Sequence, residues 1–163
     1  APVTLAARPA PLPAARESPR LLPVKADQTV TFDLHPTLAA DSFLVARVRG
    51  VQVRLMNDAR YFWLLVVPET SAAELHELDP DLTDHMWRMV TALGAALKSH
   101  TDAVKINTAA IGNIVPQLHI HIVARHHDDP DWPKPIWGAS PPIALSSPAK
   151  TARLSAVQSW LGN

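Results

Sequence analysis

The chain has 163 residues, 15 lysines and arginines balanced by 15 aspartates and glutamates, and 47% hydrophobic residues, which suits one domain of about 150 residues with an ordinary core. No apolar run approaches the roughly 18 residues of a membrane span, and a pI near 7.3 lacks the basic excess of a non-specific nucleic-acid binder, so membrane and nucleic-acid-polymer partners are set aside. The chain has no cysteine, which excludes a disulfide scaffold, a thiolate zinc site and a cysteine nucleophile and fits a reducing, cytoplasmic setting.

The 16 prolines divide the chain unevenly, with six in residues 1–23, four in 24–125 and six in 126–163. Three segments are therefore expected: a Pro-rich N-terminal extension over 1–27, a folded body over 28–125, and a Trp- and Pro-rich loop with a terminal helix over 126–163. The extension carries three arginines and one glutamate within its first 23 residues and no apolar run long enough for a secretory signal. A Pro-rich tail along the surface is preferred there over a targeting presequence. No internal repeat is found.

In the body, alternation from Phe43 places Val45, Arg47 and Arg49 on one strand face and Ala46 and Val48 on the other. Gly50 then turns the chain into Val51, Val53 and Leu55, which together read as a β-hairpin. Trp63 to Val67 is an unbroken apolar run stopped by Pro68, suited to a central strand covered on both faces. Asp79 is placed to cap a helix with Pro80 in its first turn. Leu82, Met86, Met89, Val90, Leu93 and Leu97 then recur at spacings of three and four up to about His100. Two further strands are read at Ala103 to Asn107 and Leu118 to Ala124, separated by a turn with Gly112 and Asn113. Ser147 and Pro148 start a last helix whose Leu154, Val157 and Leu161 share a face. Strands, one long helix and more strands point to an α+β fold with an antiparallel sheet rather than a βαβ repeat.

Pro116 to Val123 (PQLHIHIV) carries the chemistry. In a strand, period two sends Gln117, His119 and His121 to one face and Leu118, Ile120 and Ile122 to the other. Burial alone favours Val or Thr over two imidazoles and a carboxamide. Three readings of this polar row stay open on the residues alone: a solvated face, a metal site and a catalytic site.

The segment, with Asn107, Gly112, Asn113 and Val115 before it, resembles the histidine triad (HIT) family of nucleotide hydrolases and transferases. That family's signature is His-φ-His-φ-His-φ-φ (φ apolar), preceded by an asparagine and a Gly-rich turn; here Gln117 stands in the first triad place. The strand ending Val66-Val67-Pro68 and the helical stretches after it are also similar, and the likeness covers about residues 30–125. It implies a HIT-like antiparallel sheet with a long helix packed on it, a homodimer, and a nucleotide or dinucleotide as small-molecule partner. The implied function is hydrolysis at the α-phosphorus of a nucleotide derivative, such as a dinucleoside polyphosphate, without a cofactor or a metal on the protein. By position His119 is the nucleophile that forms a nucleotidyl-histidine. His121 is placed to donate to a phosphate oxygen or to protonate the leaving group, and Gln117 to donate from its amide to the same oxygens. Transfer to an acceptor other than water gives a nucleotidyltransferase instead.

The same resemblance implies that Asn107 and Asn113 hold the α-phosphate and its loop, and it brings Asn57, with Asp58 as the alternative, near the place of an acid that binds ribose hydroxyls. Ile114 stands where many members carry a Ser or Thr, and Trp63 where many carry a further histidine; core packing is the preferred role for Trp63. Trp132 and Trp137, in a proline-stiffened loop after the triad strand, either cover apolar sheet or wall the base; Trp137 is taken as a substrate contact. His126 and His127 beside Asp128 and Asp129 look metal-like but point apart at a strand end. Arg60 and Arg125 are preferred as surface charges over polyphosphate ligands. Two rival functions remain: a nucleotide-binding protein with weak catalysis owing to Gln117, and a metal-dependent enzyme or metal carrier using His119 and His121.

Overall fold

The computed structural model describes residues 32–162, so the expectation for the Pro-rich extension lies outside the described residues. A short helix α1, Pro36–Asp41, leads into strands β1, Ser42–Val48, and β2, Val51–Met56. Arg49 and Gly50 join them with φ of 46° and 75°, the pair of positive values that a tight hairpin turn requires and that glycine supplies without a Cβ clash. The expected alternation fails in β1. The register jumps between Leu44 and Ala46, and this bulge turns Val45 into the main core with Phe43 and Val48, not onto the face of Arg47 and Arg49.

Strand β3, Trp63–Pro68, lies at the centre of a 5-stranded sheet of order β1-β2-β3-β5-β4. All of its pairings are antiparallel. The unbroken apolar run has its reason here: Leu64 and Val66 enter the main core, while Leu65 and Val67 pack on the opposite face with Leu38 and Val115. A 3-10 turn, Leu75–Glu77, precedes helix α2, Pro80–Thr101, whose first turn is capped by the Asp79 carboxylate accepting from the Asp81 and Leu82 amides. Met86, Met89, Val90, Leu93 and Leu97 are its buried stripe, each contributing on the order of 1.5–3 kcal/mol of transfer free energy. Gly94 lies over the sheet, where an added Cβ would stand 3.7 Å from Ile106 and 3.9 Å from Ile122. The helix thereby backs the two strands that frame the triad segment.

Strand β4 runs Lys105–Ala110, displaced toward the C-terminus from the expected Ala103 to Asn107; Ala103 is instead a buried residue of the main core. Strand β5 is Ile120–Arg125. Helix α3, Ser147–Trp160, is capped by the Ser146 hydroxyl and not by Ser147, and its Val157 is fully buried in the same core as α2. Helices α2 and α3 therefore share one face of the sheet, and α1 with the loop after β5 borders the other. The fold is the expected α+β arrangement. Among the described residues, no helix is long and apolar enough to cross a membrane.

Candidate active site

Alternation through the triad segment survives even though the hydrogen-bonded strand starts only at Ile120. Leu118, Ile120 and Ile122 enter the main core, and His119 and His121, each 7% exposed, face the other way. The ladder begins at Ile120 because its partner strand ends there, with Ala110 opposite Ile120. Before that point the chain runs extended out of the loop that carries Gly112, whose φ is 72°.

The two imidazoles are held differently. His119 Nδ1 lies 2.7 Å from the Gln117 carbonyl oxygen. A carbonyl only accepts, so Nδ1 carries the proton and Nε2 keeps its lone pair. His121 Nδ1 instead accepts from the Trp63 indole N–H at 3.0 Å, which leaves the proton of the neutral ring on Nε2. Burial, and next the proximity of His119, pushes the His121 pKa down to about 3. The ring centroids are 4.7 Å apart. Both histidines line one cavity of about 480 Å³, together with Trp63, Leu65, Asn113 and Trp137, within the range of about 300–1,000 Å³ typical of small-molecule sites.

The remaining predicted residues divide into those at the cavity and those elsewhere. Asn113 lines it. Trp137 packs on His121 with centroids 5.4 Å apart and stands edge-on to Trp63 at 6.4 Å. It also borders an adjoining cavity of about 340 Å³ that includes Asn57. The Asn57 Oδ1 accepts from the Leu145 amide at 2.9 Å, so this side chain ties down the segment before α3.

Gln117 departs from the expected phosphate contact. Its Oε1 accepts from the His35 amide at 2.8 Å and its Nε2 donates to the Asp33 carbonyl at 2.9 Å, so the carboxamide fastens the irregular segment before α1, and only its main-chain carbonyl meets the site. Asn107 is in mid-strand on β4, where its Oδ1 accepts from Arg125 at 2.9 Å.

The charged candidates also resolve into structure. Arg125 is 1% exposed, not a surface charge. It donates to Asp129 at 2.7 Å and to the Lys134 carbonyl at 3.0 Å, and it packs against the Tyr61 and Trp132 rings, anchoring the loop that delivers Trp137. Arg60 grips Asp58 through two of its nitrogens. Burial raises the Asp58 pKa, but the Arg60 hydrogen bonds outweigh it and hold the carboxyl below its usual value. His126 Nε2 is 2.9 Å from the Thr101 carbonyl and His127 packs edge-to-face with Trp132. Among the described residues, no three His, Asp or Glu side chains converge as a metal site.

Two residues at the site have roles the sequence reading did not assign. Trp63 is a hydrogen-bond donor to a triad histidine as well as a packing residue. Its register offers a signal, because Trp63 pairs with Val123 and Leu65 with His121, so a tryptophan starting the strand beside the triad shares the histidines' face. Asp41, at the end of α1, borders both cavities; only the tertiary path of α1 reveals it.

The chain is similar to known proteins in sequence and in fold. The HIT domain matches residues 37–128. A histidine triad protein from Bradyrhizobium japonicum is 36% identical with a TM-score of 0.76, covering 78% of this chain and 96% of its own. One from Marinobacter aquaeolei VT8 is 35% identical with a TM-score of 0.78, covering 80% and 96%. A more distant chain from Sulfolobus tokodaii strain7, called a hypothetical histidine triad nucleotide-binding protein, shares the fold at 17% identity and a TM-score of 0.59, covering 78% and 90%. No curated protein matches the chain. With its polar row on the segment that runs into β5, its sheet order and the match over most of the described body, the chain belongs to the HIT domain family.

Proposed function

We propose that this protein hydrolyses a nucleotide derivative, such as a dinucleoside polyphosphate, at its α-phosphorus, with Gln117, His119 and His121 in the three triad places. The observation that carries the reading is the fixed tautomer of His119: its Nδ1–H is spent on the Gln117 carbonyl at 2.7 Å, so the Nε2 lone pair is the nucleophile at a cavity of about 480 Å³. Nε2 attacks the phosphorus; the N–P bond forms as the bond to the leaving oxygen breaks, and that oxygen takes the electron pair. The resulting imidazolium keeps its Nδ1–H on the carbonyl. Water then attacks the same phosphorus, the N–P pair returns to Nε2, the nucleoside monophosphate leaves and the water proton passes to solvent. The neutral His121 Nε2–H donates to a non-bridging oxygen through both steps. Asn113 and the Trp137 ring contact the nucleotide, with Asn57 in the adjoining cavity, while Asn107 acts indirectly through Arg125.

The direct test is incubation with a nucleotide labelled at the α-phosphorus, followed by rapid quenching. The expected result is an acid-labile adduct on His119, and loss of turnover by about 10³-fold or more in His119→Gln. Unchanged turnover in that variant overturns the assignment, and nucleotide affinity without adduct or turnover identifies a binding protein instead. The homodimer belongs to the same proposal and is read by light scattering of the full chain.

A further inference from the structure

Trp63 opens β3 and reaches across the sheet face to His121, where its Nε1–H donates to Nδ1 at 3.0 Å. An indole nitrogen donates and never accepts. A proton on His121 Nδ1 would therefore face another N–H and break the bond. The pair is packed in place: the two rings are 5.3 Å apart, Trp137 packs beside both, 5.4 Å from His121 and 6.4 Å from Trp63, and Leu65 and Ala109 flank His121 in register on the neighbouring strands. The titratable group in ring contact with His121 is His119, and no carboxylate forms a hydrogen bond or ion pair with His121 among the described residues. Burial pushes the ring toward the neutral form, and the proximity of His119 adds to this. The carboxamide of Gln117 carries no dissociable proton and is engaged by the backbone of Asp33 and His35.

We infer that Trp63 is a positioning residue that holds His121 as a neutral Nε2–H donor, giving the site a hydrogen bond for a phosphoryl oxygen but no proton for the leaving group, and so selecting phosphoanhydrides over phosphoramidates and alkyl phosphoesters. The selectivity half of this inference rests on His119 being the nucleophile. When the N–P bond forms, the electron pair of the breaking bond moves onto the leaving atom. A phosphate or polyphosphate accepts that pair as a stable anion and departs without a proton. An amine or alkoxide leaving group needs a proton at that moment, and the residue beside the nucleophile has none to give.

The test has two readouts on the full chain. Long-range proton–nitrogen NMR of labelled protein reads the His121 tautomer between pH 7 and 5, independently of turnover. In the wild type Nδ1 is expected to be unprotonated and Nε2 protonated throughout, while in Trp63→Phe the two tautomers mix and a titration appears. A wild-type ring that is protonated at Nδ1, or that titrates across this range, overturns the positioning role. The second readout compares kcat/KM for a nucleoside 5′-polyphosphate and the matching phosphoramidate. The anhydride is expected to be favoured on the order of 10²-fold, the usual contribution of a general acid, and that ratio falls in Trp63→Phe. Comparable kcat/KM for the two classes overturns the selectivity. Absence of turnover with both overturns the selectivity together with the enzymatic reading, and the nitrogen spectra still decide the role of Trp63. Both wild-type measurements stand even where Trp63→Phe fails to fold.

Discussion

Lowering the pH from 7 to 5 is expected to destabilise the fold through one buried ring that stays neutral. His121 is 7% exposed, and burial, followed by the proximity of His119, lowers its pKa from 6.5 to about 3. In the unfolded chain the same ring takes a proton near pH 6.5, whereas the folded chain refuses it until near pH 3. The stability associated with this site is therefore intact above pH 6.5 and is lost progressively as the pH falls toward 3. At about 1.36 kcal/mol per pH unit, the loss between pH 7 and 5 is about 2 kcal/mol. The comparison that isolates it is His121→Asn, whose side-chain oxygen stands where Nδ1 accepts the Trp63 hydrogen bond and which does not titrate. Urea unfolding of both proteins at pH 7 and 5 measures the difference, and the histidines remote from His121 are common to both and cancel. The wild type is expected to lose about 2 kcal/mol more than the variant over this interval. Parallel losses would refute the argument that the ring is locked neutral.

Arg125→Met removes the cation from Asp129, whose side chain is 6% exposed, and leaves a buried carboxylate unpaired. The expected loss is about 3–5 kcal/mol in urea unfolding, with a red shift of tryptophan fluorescence as the loop bearing Trp132 and Trp137 detaches. A loss below about 1 kcal/mol, the scale of an exposed ion pair, would show that the loop is held by something else. Asp79→Ala removes the acceptor for the Asp81 and Leu82 amides and is expected to cost about 1 kcal/mol. The same urea titration checks it, and turnover is expected to stay unchanged because α2 lies on the sheet face away from the histidines.

What was legible in the sequence follows the range of the interaction. Helix α2 was readable because its cap and its apolar spacing are set within a few residues, and the observed buried stripe from Met86 to Leu97 repeats that spacing. The separation of His119 and His121 from Leu118, Ile120 and Ile122 was readable for the same reason, since it follows from period two in an extended chain. The bulge that turns Val45 inward was not readable, because it depends on how β1 is paired with β2. Nor was the start of β4, which is decided by its register on β5.

At the site the division is sharper. Sequence alone determined which nitrogens share a face, that the family is HIT, and that no thiol takes part. Only the tertiary structure decided which of those nitrogens carry protons, because that depends on partners remote in the chain: Trp63 is 58 residues from His121, and His35 is 82 residues from the Gln117 carboxamide it engages. The physical reason is that alternation sets the direction of a side chain locally, while protonation and reach are set by whichever donors and acceptors the fold brings within about 3 Å.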